Sequence, residues 1–384
     1  MTASPLQALP IERLRERTST KWRTYPADVL PLFVAETDFP LAPAITARLS
    51  AAVEVGDTGY TPPKPGIAEA YAGFARRRYD WDIDPAHVRS TGDVVMGLVE
   101  ILRATISPGD RVVITPPVYP PFYDLIPEAG GVVERVPLLA DAGYTLDLAG
   151  IDAALAGGAR AVLLCNPHNP TGTVHSRETL AALAEIAARH DAIVVSDEIH
   201  APLVHAPATF TPFLSASPIA ASVGYAVASA SKAFNLAGLK CALMLTAADH
   251  TRRVVQDLPK EVEWRTGHFG ALAGVAAFAP ESDEWLDALL AALDANRRLL
   301  ADLLAEHVPA ARYEIPDAGY LAWVDLSGLG WGADPAERIL TDARVALHHG
   351  PTFGDEGRGY VRLNFGCSPD VLRDAIERIG ALLP

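Results

Sequence analysis

The sequence predicts an α/β fold, with a mostly parallel, seven-stranded sheet covered by helices on both faces and a smaller α/β domain beside it. Three observations predict it. Seven short apolar runs, at residues 88–91, 111–115, 131–136, 159–165, 192–196, 223–228 and 241–245, alternate with helix-compatible segments. Strands that are apolar on both sides belong to parallel sheets buried under helices. The length, 384 residues, exceeds what one simple core organises and suggests one large and one small domain. Polar clusters also follow the carboxyl ends of several runs, where open α/β sheets bind ligands.

Composition narrows the function classes. Hydrophobic residues make up 49% and charged residues 21%, the balance of an ordinary globular enzyme. A formal net charge of −15 argues against nucleic acid and anionic membrane surfaces as partners. The three cysteines, Cys165, Cys241 and Cys367, lie far apart in apolar surroundings, with no metal-binding or redox spacing. They read as reduced core residues of a cytoplasmic protein. No signal-peptide pattern, membrane-spanning run, repeat or metal site is expected.

Taken in order, residues 1–45 are expected to form an N-terminal arm and part of the small domain. Within them, residues 29–39 read as a short apolar strand ending in acidic groups. Residues 43–55 and 67–79 carry helical periodicity, separated by a turn-rich loop containing Tyr60. After the run at 88–91, Gly92-Asp93-Val94-Val95 opens a helix to about residue 106, and a helix start offers unpaired N–H groups to an anion. Another helix spans residues 177–190, with Ser176 as its cap. Ala279-Pro280-Glu281-Ser282-Asp283 marks the end of a large domain, 46–280. A long helix at 285–307 leads into the small domain, 281–384, with strands at 320–326, 344–348 and 360–365 and a last helix from Pro369.

The chemistry gathers around Ser229-Ala230-Ser231-Lys232, which follows the run at 223–228. Lys232 has only small, polar and apolar neighbours, and desolvation lets a lysine lose its proton near neutral pH. A neutral amine attacks an aldehyde to form a Schiff base. The serine hydroxyls and Lys240 suit a phosphate. Together they suggest a lysine that carries pyridoxal 5'-phosphate (PLP). Such a cofactor needs an amine for its aldehyde, an anion at the ring nitrogen, a donor to the phenolic oxygen and a platform for the ring face. Lys232, Asp197, Asn169 and Tyr119 can fill these roles in that order. The phosphate would take the amides near Val94 and Val95, the Ser229 hydroxyl and Lys240. The plainer alternatives are a turn cap for Asp197, a turn residue for Asn169 and simple packing for Tyr119. His200 is either structural or tunes the hydrogen bonds around Asp197. Arg362, on an otherwise apolar strand, requires an anion, either a substrate carboxylate or an internal acid.

Asn166-Pro167-His168-Asn169-Pro170-Thr171-Gly172, Ser196-Asp197-Glu198-Ile199-His200 and the run from Ser229 to Lys240 occur in the order and spacing of a known family. The chain resembles the fold-type I PLP enzymes, of aspartate-aminotransferase-like fold, over nearly its whole length. Within that fold, Ser196 to His200, Val34-Ala35-Glu36-Thr37-Asp38-Phe39 and Arg362-Leu363-Asn364-Phe365-Gly366-Cys367 resemble the MalY/PatB branch of cystathionine β-lyases, or C–S β-lyases. The resemblance implies catalytic roles for Lys232, Asp197 and Tyr119. Lys232 would be the Schiff-base lysine and proton carrier, Asp197 would face the pyridine nitrogen, Asn169 the phenolic oxygen, and Tyr119 would stack on the ring. Arg362 would bind the α-carboxylate of an amino-acid substrate, with Asn169 and Ala35 beside it. A homodimer sharing its site is also implied, in which Tyr60 reaches the other subunit's phosphate. The implied reaction is cleavage of an L-cysteine S-conjugate to thiol, pyruvate and ammonia.

Two positions depart from the branch. Ala35-Glu36-Thr37-Asp38-Phe39 stands where Ala-Asp-Met-Asp-Phe is usual, and Asp93 stands where glycine is usual, so its carboxylate is expected to turn outward as a helix cap. Three rival functions remain. The same residues would serve a PLP-dependent aminotransferase. Gly328-Leu329-Gly330-Trp331-Gly332-Ala333 satisfies a loose dinucleotide pattern, but the chain after it is too short for that domain. A regulatory partner role is a further possibility that the branch permits.

Overall fold

The computed structural model describes residues 6–63 and 65–384; Lys64 and Met1 to Pro5, the start of the expected arm, lie outside the described residues. Thirteen strands occur among them: β1 (Leu30–Pro31), β2 (Val88–Thr91), β3 (Arg111–Ile114), β4 (Val132–Arg135), β5 (Ala161–Cys165), β6 (Ile193–Asp197), β7 (Gly224–Ala228), β8 (Ala242–Leu245), β9 (Arg312–Tyr313), β10 (Leu321–Asp325), β11 (Val345–Ala346), β12 (His348–His349) and β13 (Tyr360–Asn364). β2 to β8 form one seven-stranded sheet in the order β2-β8-β7-β6-β5-β3-β4. Only β8 runs against its neighbours, so the other six strands point their carboxyl ends the same way.

Why these runs form a covered sheet is visible residue by residue. Val112, Ile114, Leu163 and Val195 face one side and pack with Leu98, Ile101 and Leu102. The residues between them, Val113, Val162, Leu164 and Val194, face the other side and pack with Leu180, Leu183 and Ala184. Side chains alternate across a strand, so both faces are apolar and both need a helical layer. The helix Val94–Thr105 starts where expected, with Asp93 accepting the Met96 N–H at 2.9 Å. Its buried stripe runs through Val94, Leu98, Ile101 and Leu102, while Val95 and Thr105 are only half-buried. Gly97 lets this helix lie close to the sheet, since a Cβ there would sit 3.3 Å from Met244 and Val227 side-chain atoms. Ser176 caps Arg177–Arg189 through the Thr179 N–H, as its sequence position suggested.

The C-terminal portion builds a second, antiparallel sheet, β12-β13-β10-β9. The helix Asp283–His307 covers it together with Pro369–Gly380. Asn296 on the long helix donates to the carbonyls of Phe365 (2.9 Å) and Cys367 (2.8 Å), fixing the end of β13. β1 pairs in parallel with β11, so the chain near Leu30 joins this C-terminal portion.

Two expected strands differ. Residues 344–348 split: β11 pairs with β1, while β12 pairs with β13. Residues 29–39 hold only the two-residue β1. From Phe33 to Thr37, side chains rather than a neighbouring strand satisfy the carbonyls. Arg362 bonds the Phe33 carbonyl, Asn364 those of Val34 and Glu36, Tyr320 that of Ala35, and Asn235 that of Thr37. Buried polar backbone must find partners, and here the partners come from four distant positions. Under the segment lies a buried ion pair, Lys21 Nζ to Asp38 at 2.7 Å, and Lys21 also bonds the Glu36 carbonyl.

Candidate active site

Five connections leave the carboxyl edge of the large sheet and enclose one cavity of about 530 Å³. Asp93, Val94 and Val95 come from the turn after β2, Tyr119 from the loop after β3 and Asn169 from the loop after β5. Asp197 and His200 follow from the end of β6, and Ser231, Lys232 and Lys240 from the stretch after β7. Phe33, Val34 and Ala35 form the opposite wall, and Arg362 on β13 and His348 on β12 close the end.

The charges in this cavity are incompletely matched. Arg362 is 3% exposed, yet its partners are neutral: Asn169 Oδ1 at 3.0 Å, the Phe33 carbonyl at 3.2 Å and His348 Nδ1 at 2.9 Å. Its Nε is buried with no partner among the described residues, and burial pulls the guanidinium down to about 10. No acid pairs with it among the described residues, which disposes of the internal-salt-bridge alternative. Asp197 is 3% exposed and accepts the Ile199 N–H at 3.1 Å; burial pushes its carboxyl up to about 7. Lys232 Nζ donates to the Ala35 carbonyl at 3.2 Å, and burial followed by repulsion from Arg362 lowers it to about 8. A cation and a carboxylate without ionic partners among the described residues, and an amine poised between two protonation states, make a receptor for a ligand with the complementary charges.

Most residues expected at the site meet here, with three adjustments. Ser229 does not line the cavity: its hydroxyl lies 2.7 Å from the Cys241 carbonyl, which can only accept, and it receives the Ser231 N–H at 3.1 Å. Ser231 lines the cavity instead. His200 lines the cavity but makes no hydrogen bond to Asp197 among the described residues; its Nδ1 is buried without a partner, and burial lowers the ring to about 3. Lys240 is not a free cation, because it pairs with the outward oxygen of Asp93 at 3.0 Å. Asp93 thus serves as both cap and counter-ion. Tyr60 is fully exposed and away from this cavity in its own chain. The sequence reading missed His348 and Phe33, which reach the site only through tertiary pairing and which no local motif marks; Val34 stood in the quoted run 34–39 but was not assigned to the site.

The Asp197 shift has a measurable consequence in cofactor-free protein. A carboxyl raised from 3.8 to about 7 favours folding in its protonated form. That contribution is complete below the unfolded value and is lost as pH rises through the folded value. Asp197→Asn, which cannot ionise, should therefore gain stability relative to the parent between about pH 4 and pH 7, with a constant difference above. Denaturant midpoints at pH 5, 6, 7 and 8 check this; a pH-independent difference would contradict it.

Residues 28–379 match the family described as aminotransferase class I and II. The chain is 44% identical over 408 residues to a candidate cystathionine beta-lyase of Mycobacterium leprae, covering 100% of this chain and 99% of that one. It is 35% identical over 376 residues to the cystathionine beta-lyase of Corynebacterium glutamicum, covering 97% and 99%. The crystal structure of a candidate PLP-dependent beta-cystathionase from Corynebacterium diphtheriae superposes with a TM-score of 0.94 at 34% identity, covering 98% of each chain. PLP suits the cavity on its own chemistry: an aldehyde for Lys232, a ring nitrogen that can be cationic opposite Asp197, and a phosphate for the helix-start amides of Val94 and Val95 beside Ser231 and Lys240.

Proposed function

The chain belongs to the aminotransferase class I and II family, and on that premise we propose a role for each side chain of the cavity. The protein is a PLP-dependent carbon–sulfur β-lyase of the cystathionine β-lyase type. Its substrate in this reading is an L-cysteine S-conjugate, cleaved with water to a thiol, pyruvate and ammonia. One observation carries the reading: Lys232 lies in the same cavity as a buried carboxylate and a buried guanidinium, neither of which has an ionic partner among the described residues.

Bound PLP supplies an electron sink for negative charge that develops on the carbon beside the substrate's amino group. Asp197 would keep a proton on the ring nitrogen, Asn169 would face the phenolic oxygen and Tyr119 would cover the ring. The first amides of the helix at Val94 and Val95, with Ser231 and Lys240, would hold the phosphate. Arg362 grips the α-carboxylate and so fixes the Cα–H bond toward Lys232. Lys232 Nζ anchors the cofactor, removes the Cα proton and is suited to that work because its pKa lies near 8. The apolar walls, Phe33, Val34, Pro120 and Pro121, suit a thioether side chain.

A homodimer is part of the proposal. Val53, Val55, Tyr60 and Trp264 are large apolar groups left exposed. The Tyr60 loop is tied to the segment after Trp264 by Thr61 Oγ1 donating to the Thr266 carbonyl at 2.8 Å. Sedimentation showing only single chains of 40.8 kDa would refute it. The three buried free cysteines support a cytoplasmic setting, and among the described residues no helix is long and apolar enough to cross a membrane. Export of the chain in a fractionation experiment would count against that setting.

The deciding assay supplies L-cystathionine to the PLP-loaded protein and, separately, L-alanine with 2-oxoglutarate. Thiol and pyruvate should appear in equal amounts from the first. Glutamate from the second without thiol from the first would replace the lyase reading with aminotransfer.

A further inference from the structure

We propose that His348 is a positioning residue for Arg362, orienting the guanidinium with a neutral acceptor so that its charge stays available to a substrate carboxylate. The inference rests on the reading of Arg362 as the carboxylate-binding group. His348 lies opposite Arg362 in the antiparallel pairing of β12 with β13. Its Nδ1 is 2.9 Å from Arg362 Nη2. A guanidinium can only donate, so Nδ1 accepts and the ring hydrogen sits on Nε2. Phe353 backs both groups: its ring centroid is 4.9 Å from the imidazole centroid and 5.0 Å from Arg362 Cζ. Burial and the adjacent guanidinium push the imidazole down to about 3, which keeps it a neutral acceptor.

The choice of acceptor matters. Arg362 gives one N–H each to Asn169 Oδ1, the Phe33 carbonyl and His348 Nδ1. All three fix direction without cancelling charge. A carboxylate at position 348 would fix direction equally well but would form an internal ion pair that competes with the substrate. A purely apolar side chain would leave charge but free the fork to rotate. Position 348 therefore separates orientation from neutralisation, and histidine provides the first without the second.

The test uses PLP-loaded parent, His348→Asn, His348→Leu, His348→Asp and Arg362→Leu. KM and kcat for L-cystathionine and competitive inhibition by propionate are measured, with melting temperatures as a folding check. His348→Asn, whose amide oxygen can replace Nδ1, should stay within about threefold of the parent. His348→Leu should raise KM and the propionate inhibition constant about tenfold with kcat little changed, the loss expected for one charge-assisted hydrogen bond. His348→Asp should raise both further. If Asn and Leu behave alike, or if Asp binds propionate as well as the parent, the proposal is overturned. Should His348→Leu fail to fold, the Asn and Asp pair still decides it. Arg362→Leu separates the two levels: if it leaves propionate inhibition intact, the carboxylate role of Arg362 fails instead.

Discussion

Lys232→Ala is expected to reduce thiol and pyruvate formation by about 10³-fold or more, the scale on which a combined nucleophile and base acts. The size follows from what else the cavity contains. The Tyr119 phenol is pushed up to about 12 by burial and the Asp197 charge, so it holds its proton. His200 and His348 are lowered to about 3 by burial and nearby cations, too weak as bases to take a carbon-bound proton. Lys240 is paired with Asp93. Among the described residues lining the cavity, Lys232 is the only amine brought near the working range, to about 8, and the one other group brought there, the Asp197 carboxyl at about 7, is assigned to the ring nitrogen. Lys232→Arg should fall as far as the alanine variant, because it restores charge and length without an amine that can be neutral. Stopped assays of pyruvate and thiol, with circular dichroism to establish folding, measure the effect. Retention of more than a tenth of parental turnover in either variant would remove Lys232 from the mechanism.

Arg362→Leu is the second large loss. A bidentate guanidinium–carboxylate contact contains two charge-assisted bonds, and removing both costs about 3–6 kcal/mol, or roughly 10² to 10⁴ in kcat/KM. Most of the loss should appear in KM if Arg362 binds substrate and transition state alike. The parent's Arg362 has no acid to release among the described residues, so the substitution creates no unpaired carboxylate elsewhere. It does free Asn169 Oδ1, whose amide would then lose one constraint. Arg362→Lys should recover only part of the loss, since an ammonium cannot present a planar fork. Substrates without an α-carboxylate, such as S-substituted cysteamines, should react with parent and variant equally poorly. If Arg362→Leu leaves KM for L-cystathionine unchanged, the arginine serves structure alone.

The sheet was readable because its cause is local. A strand buried on both faces is apolar at every position, and the runs ending at Cys165 and Ala228 meet that condition without reference to any other part of the chain. Helix starts were readable for the same reason: Asp93 and Ser176 accept amides three residues ahead. Residue types with few ordinary uses, a lysine among small neighbours and an arginine on an apolar strand, also announced themselves. Local pattern failed where partners are distant. Residues 33–39 look like a strand by composition, but their carbonyls are claimed by Arg362, Asn364, Tyr320, Lys232 and Asn235.

The same contrast separates the two serines before Lys232. In sequence they are equivalent hydroxyls; in space the Cys241 carbonyl takes one and the cavity keeps the other. The primary structure thus determined which chemistry is possible and at which strand ends it stands, because side-chain type and apolar periodicity are carried by neighbouring residues. Which hydroxyl lines the cavity, that Arg362 has no acid among the described residues, and that His348 rather than a carboxylate faces it were settled only by folding, since those facts depend on separate strands and loops being brought within hydrogen-bond reach, 12 residues apart for Ser229 and Cys241, 14 for His348 and Arg362 and 193 for Asn169 and Arg362.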